Sequence, residues 1–334
     1  QRLAQFLALS RRSCRGDRQL FKNEMSKFND LLQASFKSAD TEEWLDVHFT
    51  RPIGLVFALL WNRLGVHPNV ITILSIFLGV GAGVMFYYTD FVHNILGVVL
   101  LMLANFCDST DGQMARLTGK KTLVGRILDG FSGDVWFFAI YVAICLRLQG
   151  QQMPGTDIHW GVWIWLLAVV AGLFCHSPQS SLSDYYRQIH LYFLKGKAGS
   201  ELDNSAQQRA IYESLAKRAL LARAFYYNYS NYCKSQERRT PRFQKFFSAF
   251  KVKYSNVEDA PDELRKRFLD GSRPLMKYTN ILTFNVRAIC IYMTCLLNCP
   301  WIYLLIEMTV MNILYVYMRK QHEALCASLS REVL

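Results

Sequence analysis

The sequence predicts an all-α polytopic membrane protein: six transmembrane helices, an N-terminal interfacial helix and a long cytoplasmic helical insertion. Three observations carry that expectation. Apolar residues make up 51% of the 334 positions and gather into long runs, as a chain does when it crosses a hydrocarbon core. The basic excess, a formal net charge of +12, gathers between those runs, and six spans with both termini inside put every basic cluster on one side. Four aspartates, Asp108, Asp111, Asp129 and Asp134, stand at the ends of two neighbouring runs. An ionised carboxylate so placed is costly unless it is paired or metal-bound.

Taken in order, residues 1–42 mix basic and apolar residues and read as an N-terminal cytoplasmic arm. Between 43 and 64, Trp44, Phe49, Phe57 and Trp61 sit among His48, Arg51, Asn62 and Arg63, which suits a helix lying in the membrane interface. Pro52 starts or kinks that helix. Pro68, Asn69 and Thr72 introduce the first span, 70–88, whose Gly79, Gly81 and Gly83 permit close helix approach. The next three spans cover 94–110, 125–146 and 160–178. Lys120, Lys121 and Arg126 in the link from 117 to 126 put the aspartates at the cytoplasmic face. Residues 43–194 thus hold the interfacial helix, spans one to four and the site, and 195–273 form the cytoplasmic insertion. Residues 274–318 hold spans five and six, 281–298 and 300–317, and 319–334 are a cytoplasmic tail opening on Arg319 and Lys320.

The remaining composition narrows the function. Nine cysteines show no CxxC pair or disulfide-rich spacing and read as reduced packing residues. Basic residues alternate with aromatics from Phe225 to Tyr232 and on through Arg242, a pattern that can bind single-stranded nucleic acid. With no RNA or DNA motif beside it, contact with lipid headgroups accounts for it, and no nucleic acid partner is expected. A non-enzymatic membrane scaffold or nucleic-acid-associated protein is the competing class, and a transporter is a third.

On a helix, Asp108 and Asp111 share a face at i,i+3 spacing, so both can approach one ion or two adjacent ions. Gly112 lets a bulky phosphorylated ligand come close to the backbone, Ala115 extends the small surface, and Arg116 is placed for a phosphate. The basic link reverses the chain past Gly125, a second close-approach residue, and Asp129 brings back a third carboxylate. Acidic oxygen ligands suit Mg²⁺ or Mn²⁺ better than zinc. Two such ions can bridge a diphosphate and stabilise the leaving phosphate, while a remaining carboxylate accepts the proton of an attacking hydroxyl.

Through Asp108, Asp111, Gly112, Ala115, Arg116, Gly125 and Asp129, the sequence resembles the CDP-alcohol phosphotransferase (CDP-alcohol phosphatidyltransferase) family. The resemblance extends to the Arg51-Pro52 entry helix, the Pro68-Asn69 and Thr72 start and the six-span plan. It implies a homodimeric membrane enzyme whose cytoplasmic cavity binds divalent metals and a CDP-linked substrate, transfers the phospho-linked group to an alcohol and releases CMP. The family's fourth Asp is expected at Gly133, and Asp134 follows one residue later. Asp134 is therefore a candidate for both metal and proton transfer only with a local adjustment, such as a helical bulge near Gly130 or Gly133. Two donor arrangements satisfy the same motif: a CDP-activated lipid attacked by a soluble alcohol such as inositol phosphate, or CDP-choline or CDP-ethanolamine attacked by diacylglycerol or ceramide, as in phosphosphingolipid synthesis. A phosphorylated acceptor needs further cations, for which Arg187 and Arg287 are candidates. Arg287 and Glu307 also suit an internal ion pair between adjacent spans.

Overall fold

The structure, a computed structural model, describes residues 30–32, 38, 40–120 and 122–333. Lys121 and most of the expected 1–42 arm lie outside the described residues. Every regular element among the described residues is helical, and six helical rods are long and apolar enough to cross a membrane. They match the six expected spans in number and order.

Helix α1, Arg51–Arg63, follows a widened π-type turn at Asp46–Thr50. Pro52 lies just after this turn within a continuous helical run, where it lacks an N–H to donate. The run from Trp44 through this turn to Arg63 carries Asp46, Arg51 and Arg63 and is not among the rods apolar enough to cross a membrane. Helix α1 buries Gly54, Leu55 and Ala58 and exposes Val56, Phe57 and Leu60, as a helix lying along an interface does.

Helix α2, Pro68–Tyr87, starts with Pro68 at its first position and His67 as its cap. Helix α3, Phe91–Thr118, is capped by Asp90 and stops at Gly119, whose φ of 68° a side chain would resist. Helix α4, Leu123–Leu148, is capped by Thr122, whose hydroxyl accepts from Gly125 N. Helix α2 packs extensively on both α3 and α4, whereas those two scarcely meet each other, so α2 is the wedge that sets their separation. Small residues make the wedge thin. A Cβ on Gly79 would lie 2.0 Å from the Trp136 ring, and one on Gly83 would lie 3.0 Å from the Ala139 backbone.

Helix α5, Gly161–Val169, passes through a π-type turn, Val170–His176, into α6, Ser177–Lys195. The insertion contributes α7, Ser205–Ser214, α8, Leu220–Arg239, and α9, Pro241–Lys253. Then come α10, Asp262–Ile281, and α11, Phe284–Leu296. Helix α12, Trp301–Ile306, continues through a third π-type turn, Glu307–Met311, into α13, Asn312–Val333.

Two cores organise these rods. The first packs Phe86, Leu101, Trp136, Ile140, Ile164 and Tyr303 between the spans, and outside it Phe77, Phe91, Phe138, Phe174 and Ile313 face outward. In water such a belt would be an aggregation liability; around spanning helices it is the lipid-facing surface, and the chain is an integral multi-pass membrane protein. The second core joins Tyr186, Phe193, Phe246, Phe250, Phe268 and Met318. It arises because α6 and α13 run past the ends expected for spans four and six, and α9 and α10 pack against those extensions. Helix α10 runs straight through position 273, so no linker separates the insertion from the fifth span there. A second tie holds the insertion to α4. Arg126 and the Tyr229 hydroxyl both donate to Asp203, at 2.8 and 2.7 Å, and the guanidinium lies 5.0 Å from the Tyr229 ring centroid. The eight described cysteines are all free.

The thin wedge makes a quantitative contrast. Gly79→Ala should cost about 1–3 kcal/mol, the usual range for overpacking, because Trp136 must leave its seat. Gly81→Ala, whose new Cβ would meet only Leu100 at 3.6 Å, should stay within about 0.5 kcal/mol. Thermal unfolding of the purified variants in one detergent checks both.

Candidate metal and substrate site

The site is assembled where the end of α3 and the start of α4 lie on either side of α2. Asp108 and Asp111 occupy one face of α3, and Asp129 faces them from α4. One carboxylate oxygen from each lies within 4.8 Å of the other two; Asp111 is buried, Asp108 half-buried and Asp129 exposed. Hydroxyls on the neighbouring helices orient them. Thr72 on α2 donates to Asp111 Oδ2, and Ser132 Oγ, one turn beyond Asp129, stands 2.8 Å from Asp108 Oδ1 and 2.9 Å from the Asp129 carbonyl.

An all-oxygen donor set of this compactness fits a hard divalent cation. Like charges so close raise one another's energy, and a bound cation relieves that repulsion. The residues present therefore fit a metal.

The glycines of the motif differ in what surrounds them. A Cβ at Gly125 would lie 2.8 Å from Asn69 Oδ1, so this residue is small because α2 begins there. At Gly112 the nearest atom to such a Cβ would be a guanidinium nitrogen of Arg116, at 3.4 Å, the movable end of a long side chain. Ala115 is half-buried beside Arg116, and Arg116 is within electrostatic range of Asp111 and Asp129.

A polar cavity of about 230 Å³ opens beside the carboxylates, with Asn105, Asp108, Asp129, Asp134, His176 and Arg287 in its wall. A larger apolar groove of about 670 Å³ runs along α4 and α5, walled by Phe131, Val135, Phe138, Trp165, Val169 and Leu173. Asp134, Phe137 and His176 belong to both. Asp134 is exposed there and stands outside the compact group of three. Helix α4 passes Gly130 and Gly133 without a widened turn, so the adjustment that would swing Asp134 into the place of Gly133 is not made. The two positions remain about 100° apart around the axis.

The two arginine candidates fall in different places. Arg287 lines the cavity, yet it is 1% exposed and committed inside the protein. It donates to Glu307 Oε1 at 2.5 Å, to Gln179 Oε1 at 3.0 Å and to the Leu282 carbonyl. The internal pair with Glu307 is thus formed. Arg187 is absent from the cavity wall and donates to Asn280 at 3.2 Å.

Sequence reasoning did not single out Ser132, His176 or the acidic stretch before α1. Glu42 pairs with Arg51 at 3.1 Å, while Glu43 accepts from Thr283 and from Asn285 Nδ2. Burial, with Asp46 adding to it, holds Glu43 above the usual carboxylate range although these hydrogen bonds pull the other way. Ser132 was detectable one turn after Asp129. Nothing local marks His176, whose partners come from helices distant in sequence.

Residues 65–177 match the family model described as CDP-alcohol phosphatidyltransferase. A stretch of 86 residues is 41% identical to an uncharacterized protein of Aquifex aeolicus (strain VF5), covering 25% of this chain and 42% of that protein. The chain thus spans less than half the length of that relative. The matched segment runs from just before α2 to the start of α6, taking in all three clustered carboxylates.

If the three carboxylates act as one cation site, Asp111→Asn should weaken Mn²⁺ binding at least tenfold, about 1.4 kcal/mol, with the helical content unchanged. Titration of the purified protein followed by electron paramagnetic resonance measures this. Equal affinity in the variant would remove Asp111 from the site.

Proposed function

Because residues 65–177 match the family model described as CDP-alcohol phosphatidyltransferase, we propose that this protein transfers a phospho-linked group from a CDP-activated lipid to a soluble alcohol. CMP is released, the process is phospholipid synthesis, and inositol phosphate is among the candidate acceptors. The observation that carries the reading is the convergence of Asp108, Asp111 and Asp129 beside a polar cavity that continues into an apolar groove. A donor with a diphosphate and acyl chains has both of those needs.

In this reading Asp108, Asp111 and Asp129 hold Mg²⁺ or Mn²⁺, two ions in all. Bound there, the cations neutralise the diphosphate and stabilise the charge that develops on the departing phosphate. Arg116 adds a fixed positive charge for the same oxygens, and Gly112 and Ala115 leave room for them. Gly125 keeps α4 close enough to α2 for Asp129 to face its partners. Phe131, Val135, Phe138 and Leu173 exclude water from the acyl chains. Arg287, its orientation set by Glu307, offers a contact for a phosphorylated acceptor from the cavity wall. Arg187, beside Asn280, is the second candidate for that contact. Asp134 stands at the meeting of cavity and groove, where it supports the site or takes a proton. The basic clusters between the spans support a cytoplasmic site and cytoplasmic termini, and in this reading the functional unit is a homodimer.

One observation favours a second reading. The groove reaches Asp134 and His176, so a lipid hydroxyl, from diacylglycerol or ceramide, can also arrive there while CDP-choline or CDP-ethanolamine serves as donor. Quantifying CMP with each donor class and a matching acceptor panel separates the two. The first reading expects Mg²⁺- or Mn²⁺-dependent release from CDP-diacylglycerol and at least a hundredfold less from the CDP-headgroup donors. The reverse preference selects the second. Silence with every donor, or salt-sensitive nucleic acid binding in its place, overturns the transferase reading.

A further inference from the structure

We propose that His176, held against Glu307, is the general base that takes the proton of the acceptor hydroxyl. This inference rests on the transferase reading. Three independent features of the structure lead to it.

The first is a gap. Gly133 lines the polar cavity, and a Cβ built on it would meet nothing within 4 Å. Helix α4 therefore leaves open space where a carboxylate would have reached the reacting groups. Asp108 and Asp129 share that cavity but belong to the cation cluster. Asp134 is exposed and out of register.

The second is the company His176 keeps in the same wall. Its side chain is 13% exposed, and Nδ1 lies 3.5 Å from Glu307 Oε1, a carboxylate that is fully buried. Phe137 meets the ring edge-on at 4.3 Å between centroids. Glu307 is itself fixed by Arg287 at 2.5 Å and by the Tyr303 hydroxyl at 2.8 Å. Nδ1 makes no hydrogen bond in this structure; closing the 3.5 Å approach to the carboxylate, as catalytic contacts do on substrate binding, puts the proton on Nδ1 and leaves Nε2, on the far side of the ring, as the acceptor. The carboxylate also stabilises the imidazolium that forms.

The third is the backbone. His176 closes the π-type turn Val170–His176, Glu307 opens the turn Glu307–Met311, and these two widened turns pack against each other. Such turns are intrinsically poorer than α-helix and recur where a functional side chain needs a register that α-helix does not supply. Here both serve one pair of residues.

The bond changes balance. The proton of the acceptor hydroxyl passes to His176 Nε2, and the oxygen lone pair forms a bond to the phosphorus distal to cytidine. The bond from that phosphorus to the bridging oxygen breaks, with its electron pair leaving on CMP. His176 then returns its proton to solvent. The charged and titratable groups facing the ring are Glu307 from the turn before α13, Arg287 from α11, and Tyr141 and Asp134 from α4.

The test uses the full chain in detergent with whichever CDP donor the wild type accepts. His176→Ala should lower kcat by about 10²-fold or more, the usual contribution of a general base. The donor KM should stay within twofold, and Mn²⁺ affinity and unfolding temperature should not change. The wild-type rate should fall at acidic pH as the imidazole takes up a proton, and that limb should be missing from the residual activity of His176→Ala. Placing a carboxylate in the open space, as His176→Ala/Gly133→Asp, should recover at least tenfold. A His176→Ala variant within threefold of wild type overturns the proposal. So does a loss of rate with the acidic limb retained, or one that tracks lost Mn²⁺ binding or lost stability. If the wild type itself releases no CMP from any donor, the transferase reading falls first.

Discussion

Three carboxylates with oxygens within 4.8 Å of one another repel, and the architecture has to hold them together. At an effective dielectric of about 20, each ionised pair at that distance opposes assembly by about 3–4 kcal/mol. The scaffold answers with a rigid wedge. Gly79 and Gly83 let α4 lie tight against α2, so Asp129 is carried by a packed helix and not by the loop that precedes it. Thr72, on the wedge itself, and Ser132, on α4, supply hydroxyls to the carboxylates they face. The same repulsion that strains the protein would be relieved by a divalent cation held among them.

Elsewhere among the spans, charge is accepted only where it is satisfied internally, as a low-dielectric surrounding requires. Arg147 donates to the Phe86 carbonyl, Asn94 Oδ1, the Cys295 carbonyl and Asn298 Oδ1, tying the ends of α2, α4 and α11 to the start of α3. Nearer the site, Arg287, Glu307, Gln179 and Tyr303 form a second buried network. One network fastens the end of the bundle opposite the carboxylates, and the other sits in the wall of the cavity. The catalytic proposal and the structural pairing of Arg287 with Glu307 are therefore two aspects of one network: the ion pair that lets an arginine be buried also fixes the carboxylate beside His176.

The insertion is better understood as an extension of the spans than as an appended domain. Helices α6 and α13 leave the apolar zone without ending, and the phenylalanines of α9 and α10 complete a core around them. Through Asp203, Tyr229 and Arg126, the same region reaches the first turn of α4, one residue from Gly125. The long basic stretch between spans four and five thus has a mechanical connection to the helix that carries Asp129.

The spans were legible in the sequence because hydrocarbon selects for length and apolarity within one segment, and the common face of Asp108 and Asp111 because spacing around a helix is a local property, whereas the approach of Asp129 depends on how α4 packs against α2. The helical continuation of span four past Pro178, with Asp184 and Arg187 on it, was also open to sequence reading, but the core that α9 and α10 build around α6 and α13 was not, because it depends on contacts between segments distant in the chain. The consequence of Gly133 was only half visible. Its departure from the family pattern is in the sequence, but whether α4 bulges to bring Asp134 inward depends on the packing of Trp136 and Phe137, and α4 stays regular. His176 could not be found at all from its own neighbourhood, since Phe137, Arg287 and Glu307 come from three other helical rods. By itself, then, the sequence determined the number and order of the spans and the helix face shared by Asp108 and Asp111, both of which depend on short-range chemistry. Tertiary structure alone decided which groups share the cavity, because that depends on contacts between helices whose order along the chain says nothing about which faces they present to one another.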